Sequence, residues 1–236
     1  LFGLLFSLLL LCGCGLNLTS TVKLNKDFSG TRVMSCTFSS RDFNTYFNGS
    51  EKDLNKLIKE SCPDALTYTS SSSDGNDTYT FYLRFSSLDD YKKKVSDLLN
   101  FSPEITYEYG DSPFVSGLIY KENFTSKDLM TWLYTALYEG KYIDKDSSSD
   151  LWDLKSTKIS FLGKTYETKD KINIDEMSYV SLSSIDIDTK TKDSGKLTRT
   201  IRFHIPQKTL DQNAGKIRSY FAENEQDNDD SFFSTY

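Results

Sequence analysis

The chain predicts an α+β fold in which an antiparallel sheet packs on helices. Three observations carry this expectation. Two pairs of alternating apolar and polar stretches occur before residue 100, and each pair is followed by an amphipathic helical pattern. The 236 residues also hold 16 Phe and 15 Tyr against 4 Pro, material for a packed core rather than a Pro-rich stalk. Residues 14–100 therefore read as a ββαββα unit, 101–180 as an intervening α+β segment, and 181–236 as the start of a second, truncated copy.

In chain order, residues 21–26 and 32–38 alternate, with Met34, Cys36 and Phe38 on the apolar side, and are joined through Asp27-Phe28-Ser29-Gly30. The Gly of that turn is expected to supply a positive φ. A helix over 51–61 places Leu54, Leu57 and Ile58 on one face and stops at Cys62-Pro63, since Pro cannot continue it. Residues 65–70 and 78–85 form a second hairpin around the Ser-rich 71–76, read as a loop tip. Ser87 as N-cap, with Asp90 three residues on, opens a helix to about 99 through Tyr91, Val95 and Leu98. One sheet face then lies against the helices, and the other is left to solvent or to a partner.

Residues 105–109 and 115–120 alternate again. A helix over 126–139 follows, carrying Leu129, Trp132, Leu133, Ala136 and Leu137 behind Thr125 and Ser126 as caps, and Trp132 reads as a core residue. Shorter strands are expected at 158–162 and 164–168. At an offset of 165, Val22 aligns with Ile187, Ser29-Gly30 with Ser194-Gly195, Cys36 with Ile201 and Phe38 with Phe203, and a helical signal over 210–221 comes next. The second hairpin and helix of such a copy do not follow, so the chain reads as truncated at its C-terminal end. At the other end it starts at Leu1 rather than Met, without the basic residues expected before an export signal.

Residues 1–11 are an unbroken run without charge, shorter than the ~20 residues a membrane-spanning helix needs, and it ends in Leu11-Cys12-Gly13-Cys14. Residues 1–13 read as a signal peptide. The four residues resemble the bacterial lipoprotein lipobox, with Leu11, Cys12 and Gly13 before the modified Cys14. The resemblance implies a diacylglyceryl thioether on Cys14, cleavage before it, and a protein held on the extracytoplasmic face of the cell membrane. The alternative is an ordinary transmembrane anchor lacking its upstream part.

A lipobox, then a hairpin with an Asp-x-Ser-Gly turn, a helix, and later Phe85-Ser86-Ser87-Leu88-Asp89-Asp90-Tyr91 entering another helix, together resemble LppM-like bacterial lipoprotein domains over residues 11 to about 100. The resemblance implies an exported, membrane-anchored α+β domain with a lipid or envelope role and no catalytic residues to carry over.

The net charge is −6, with 22 Lys and 6 Arg interspersed among the acids, and the one cationic run, Lys92-Lys93-Lys94, reads as a solvated helix face. No basic face for phosphates is expected, and so no nucleic-acid partner. With Cys12 removed and Cys14 acylated, Cys36 and Cys62 remain, to pair as a disulfide or to pack as free thiols. No metal or cofactor is expected: there is one His, His204, beside Pro206. The Asp144–Asp150 run departs from a calcium loop at Ser149 and Lys155, where Gly and Glu are needed, and Asp227, Asp229 and Asp230 read as an acidic loop. No phosphate loop or nucleophile elbow is present. The expected function is a non-enzymatic, membrane-anchored binding module. The alternatives are a lipid-binding envelope protein with an apolar groove and an exported carboxylate-dependent hydrolase, for which Glu104, Glu108 and Asp111 single out no pair.

Overall fold

The computed structural model describes residues 16–39, 47–143, 152–192 and 194–223. It is α+β, with sheets packed against helices, and divides into two compact units: 1–107 with 120–173, and 108–119 with 174–236.

The first unit holds a six-stranded sheet. Its strands are β1 (Leu16–Leu24), β2 (Gly30–Ser39), β3 (Thr67–Ser73), β4 (Asn76–Phe85), β7 (Trp152–Phe161) and β8 (Lys164–Thr168), in the order β3-β4-β2-β1-β7-β8. Helices α1 (Glu51–Ser61) and α2 (Leu88–Leu99) complete the expected ββαββα order, and α3 (Thr131–Glu139) follows a 3-10 turn over Asp128–Met130. Strands β1, β2 and β4 alternate strictly. Leu18, Val22, Met34, Cys36, Phe81 and Leu83 are wholly buried on one face, with Ser20 among them, and the period of two turns Thr19, Thr21, Ser35, Thr37 and Thr80 to the other. There Ser35 and Thr37 pair with Thr80 and Thr78, at 3.1 Å each.

Local signals set the helix ends. Ser50 Oγ accepts from the Asp53 N–H, and the Asp53 carboxylate accepts from the Ser50 N–H at 3.0 Å, a reciprocal capping box. The Ser50 hydroxyl, which donates to the same carboxylate at 2.6 Å, and then the Ser50 N–H hold the Asp53 carboxyl below the usual range. Helix α2 starts at Ser87, whose Oγ accepts from the Asp90 N–H at 3.1 Å, and ends at Asn100 in the left-handed region.

Four expectations need correction. The sheet is mixed: β1 pairs in parallel with β7, Leu16 opposite Trp152. Residue 100 is consequently no boundary, because 152–168 completes the sheet begun at residue 16. The serines of 71–73 are strand rather than loop, paired with 76–78. The chain reverses in the two residues Asp74 and Gly75, both with positive φ, as a tight hairpin requires. In the first hairpin the left-handed residue is Phe28, φ 62°, and not Gly30. Gly30 serves close approach instead, since a Cβ there would lie 2.1 Å from the Lys23 carbonyl oxygen.

The chain passes between the units three times, within β5 (Ile105–Asp111), within β6 (Val115–Glu122) and between residues 173 and 174. In the second unit β6 pairs with β9 (Asn173–Asp175) and β10 (Ser178–Tyr179). Beyond them lie the hairpin β11 (Ser184–Thr191) and β12 (Leu197–His204), then α4 (Gln207–Glu223). Hairpin and helix thus recur in the expected order, but with another register. Ile187 faces Ile201, whereas the aligned Val22 faces Arg32, because the second hairpin turns at Ser194-Gly195 and the first turns before Ser29-Gly30. Phe114 packs on Tyr220 and Phe221, and Phe203 on Phe221, with ring centroids 5.6–6.0 Å apart.

Candidate functional site

Two features of the first unit concentrate its chemistry, and they differ in access. One is a polar cluster inside the core. Arg32 stands on the inward side of β2, in line with Met34 and Cys36, and its side chain is 1 % exposed. Its Nη1 donates to Glu122 Oε2 at 2.7 Å and to Tyr91 Oη at 2.6 Å, and its Nη2 donates to Ser126 Oγ at 2.7 Å. The hydroxyls of Tyr91, at 2.7 Å, and of Tyr120 both donate to Glu122 Oε1, and Ser126 shares a 3.1 Å bond with Thr157. The Phe124 ring lies 5.7 Å from the guanidinium, and Phe28 covers Tyr91 and Tyr120.

Such a charge pair tolerates burial only when nearly all its polar atoms are partnered. Here Arg32 Nε alone lacks a partner. Burial by itself would lower the pKa of the guanidinium, but the Glu122 carboxylate, with Tyr91 and Tyr120, outweighs it and raises the value above normal. Burial first, and then the Glu122 charge, raises Tyr120 well above its ordinary value; burial also raises Tyr91, against the pull of Arg32. With Arg32, Tyr91, Tyr120, Glu122 and Ser126 all buried, the cluster orders β2, α2 and β6 about one point and offers no substrate access.

The second feature is open. Helices α1, α2 and α3 border a groove of about 1070 Å³. Leu57, Leu98, Phe124 and Trp132 give it an apolar lining, and Asn100, Asn123, Asp128 and Lys171 a polar one. Trp132, expected in the core, does pack edge-on against Phe81 at 5.4 Å, but it is half-buried and also lines the groove. Its surface is shared about evenly between polar and apolar groups, with Leu98 and Phe124 almost wholly buried beneath it and Phe101 exposed at its edge.

The residues singled out by sequence do not converge on either feature. Leu11, Cys12, Gly13 and Cys14 lie outside the described residues, as do Asp144–Asp150 and Asp227, Asp229 and Asp230. Cys36 and Cys62 are free thiols, so the possible disulfide is not formed. Cys36 is buried on the inner face of β2, where desolvation pushes its thiol far up, and Cys62 is half-buried at the end of α1. His204 Nε2 lies 2.7 Å from Asp186 Oδ2, but both side chains are half exposed on the hairpin. Glu104, Glu108 and Asp111 are exposed. Among the described residues no group of three or more His, Cys, Asp or Glu could hold a metal ion.

No family model matches the chain. No curated protein matches it either. Among solved structures, the folded domain of the Mycobacterium tuberculosis LppM protein, determined by NMR, is a neighbour at 10% sequence identity and a TM-score of 0.29. The match covers 84% of this chain and 94% of that one. A score of that size is below what a shared architecture requires, so this chain's own residues carry the functional reading.

Proposed function

We propose that this chain is a lipoprotein anchored on the extracytoplasmic face of a membrane and acting there as a non-enzymatic binding module. The observation that carries the binding role is the contrast in access within the first unit. The Arg32–Glu122 pair and the tyrosines bound to it are sealed in the core, and what lies open is a groove with room for a ligand. The address rests on the uncharged run of residues 1–11 and on Leu11-Cys12-Gly13-Cys14. No described helix is long and apolar enough to cross a membrane. Acylation at Cys14 would supply the anchor, since each buried methylene contributes about 0.8 kcal/mol and two or three chains hold a domain where one lets it exchange. The partners on this reading are the membrane and an envelope or extracellular ligand, with no cofactor and no nucleic acid.

Cys14→Ala separates anchor from fold. Expressed in a Gram-positive host, the wild type is expected in the membrane fraction with a diacylglyceryl mass. The variant is expected in the soluble fraction with unchanged circular dichroism. Retention of the variant on membranes would overturn the lipid anchor.

Leu57, Phe101 and Trp132, the apolar side chains that reach the groove surface, favour a second reading, an envelope protein that binds lipid. Native mass spectrometry of the protein released from membranes is then expected to show one additional lipid per chain. Thr135→Trp, on the groove side of α3, is expected to remove most of it. Only the bare chain mass in the wild type would count against lipid as the ligand.

A further inference from the structure

In the second unit the hairpin β11–β12 carries its apolar residues on one face and leaves them in water. The register sets Ile185 opposite Phe203, Ile187 opposite Ile201, and Thr191 opposite Leu197. The period of two puts all of these on the same side. Phe203 packs on Phe221 of α4, yet Ile187 is 63% exposed and Leu197 70%. Asp186, Asp188 and Lys190 occupy the opposite side. Arg199 lies on the apolar face itself, opposite Thr189, and Lys192 and Lys196 pair across the end of the hairpin on the side of Asp188 and Lys190, with Asp193 between them in the sequence.

This charge departs from that of the chain as a whole. Residues 184–223 hold eight Lys and Arg against five Asp and Glu, while the whole chain has 28 against 34. An acidic molecule is repelled by an anionic surface except where its positive charge is gathered, and here it is gathered beside exposed isoleucine and leucine.

We propose that the β11–β12 hairpin docks its apolar face into the headgroup region of an anionic bilayer, with Lys192, Lys196 and Arg199 meeting the lipid phosphates. Apolar area combined with cationic side chains is what holds an amphipathic element at such an interface. The proposal rests on the membrane address above. Tethering adds to it, since a contact too weak to recruit a free protein is populated once the protein is confined to the surface.

The test uses the full chain on phosphatidylcholine vesicles with and without phosphatidylglycerol, and Leu197→Trp as the probe. Flotation with the vesicles reports attachment, and the added fluorescence reports the hairpin, so the anchor and the hairpin fail separately. The expected result is a blue shift and quenching by brominated lipid, seen only with phosphatidylglycerol and lost in high salt. Reversing the charges as Lys192→Glu, Lys196→Glu and Arg199→Glu, all at exposed positions, is expected to abolish the shift with circular dichroism unchanged. Unshifted emission from protein that floats would overturn the proposal. A blue shift that grows with protein concentration in the absence of vesicles would overturn it in favour of self-association.

Discussion

Glu122→Leu is expected to lower the unfolding free energy by about 3–5 kcal/mol, because it leaves the Arg32 guanidinium buried without its counter-charge. Tyr91 and Tyr120 would lose their common acceptor as well. Arg32→Met alone should cost a similar amount by stranding the carboxylate. Removing both groups takes away the desolvation penalty together with the attraction, so Arg32→Met with Glu122→Leu is expected to recover much of the loss. Urea denaturation of the four proteins closes the cycle, and simple additivity of the two single losses would show that the pair is uncoupled. The cluster also sets an alkaline limit. Both phenols are raised above their ordinary value of 10.0. Their contribution is therefore complete below about pH 10 and declines above it, as the unfolded chain releases phenolic protons first. Tyrosine ionisation followed by absorbance should accordingly coincide with loss of structure.

Phe28→Ala is the second large effect, expected at about 3–5 kcal/mol. The ring sits in the β1–β2 turn with centroids 4.7 Å from Tyr107, 5.5 Å from Phe85, 5.6 Å from Tyr91 and 5.7 Å from Tyr120. Removing it opens a cavity over the polar cluster. The backbone there is left-handed, φ 62°, a conformation costing a residue with a Cβ roughly 1–2 kcal/mol that glycine avoids. Phe28→Gly is thus expected to be more stable than Phe28→Ala despite losing one more carbon. The reverse order in thermal denaturation would show that the turn relaxes once the ring is gone.

Features set by neighbours in the chain were legible in the sequence. Ser87 marks the start of α2, Pro63 marks the end of α1, and strict alternation marks the buried sides of β2 and β4. Features set by distant residues were not. Nothing near residue 152 announces that it will lie beside residue 16, and the Ser-rich β3 is held by backbone pairing that its side chains do not reveal. The polar cluster lay between these cases. Arg32 shares the inward parity of Met34, Cys36 and Phe38, and a cation in that position calls for a buried partner. That the partner is Glu122, ninety residues on, depended on the packing of β6. The groove has no sequence signature, since it arises from the spacing of three helices.

The parallel pairing of β1 with β7 also constrains the order in which the chain can mature. Synthesis delivers β1 first and β2 directly after it, but the strand that covers β1's other edge arrives only with residues 152–161. Until then a row of backbone donors and acceptors beside Leu16, Leu18, Val22 and Leu24 stays open to pairing with other chains. Closing so long a loop is also slow compared with forming the local hairpins. A ribosome stalled before residue 152 would therefore release a fragment with its hairpins made and an adhesive edge, and aggregation of such fragments, more than of the finished protein, is the hazard this topology carries.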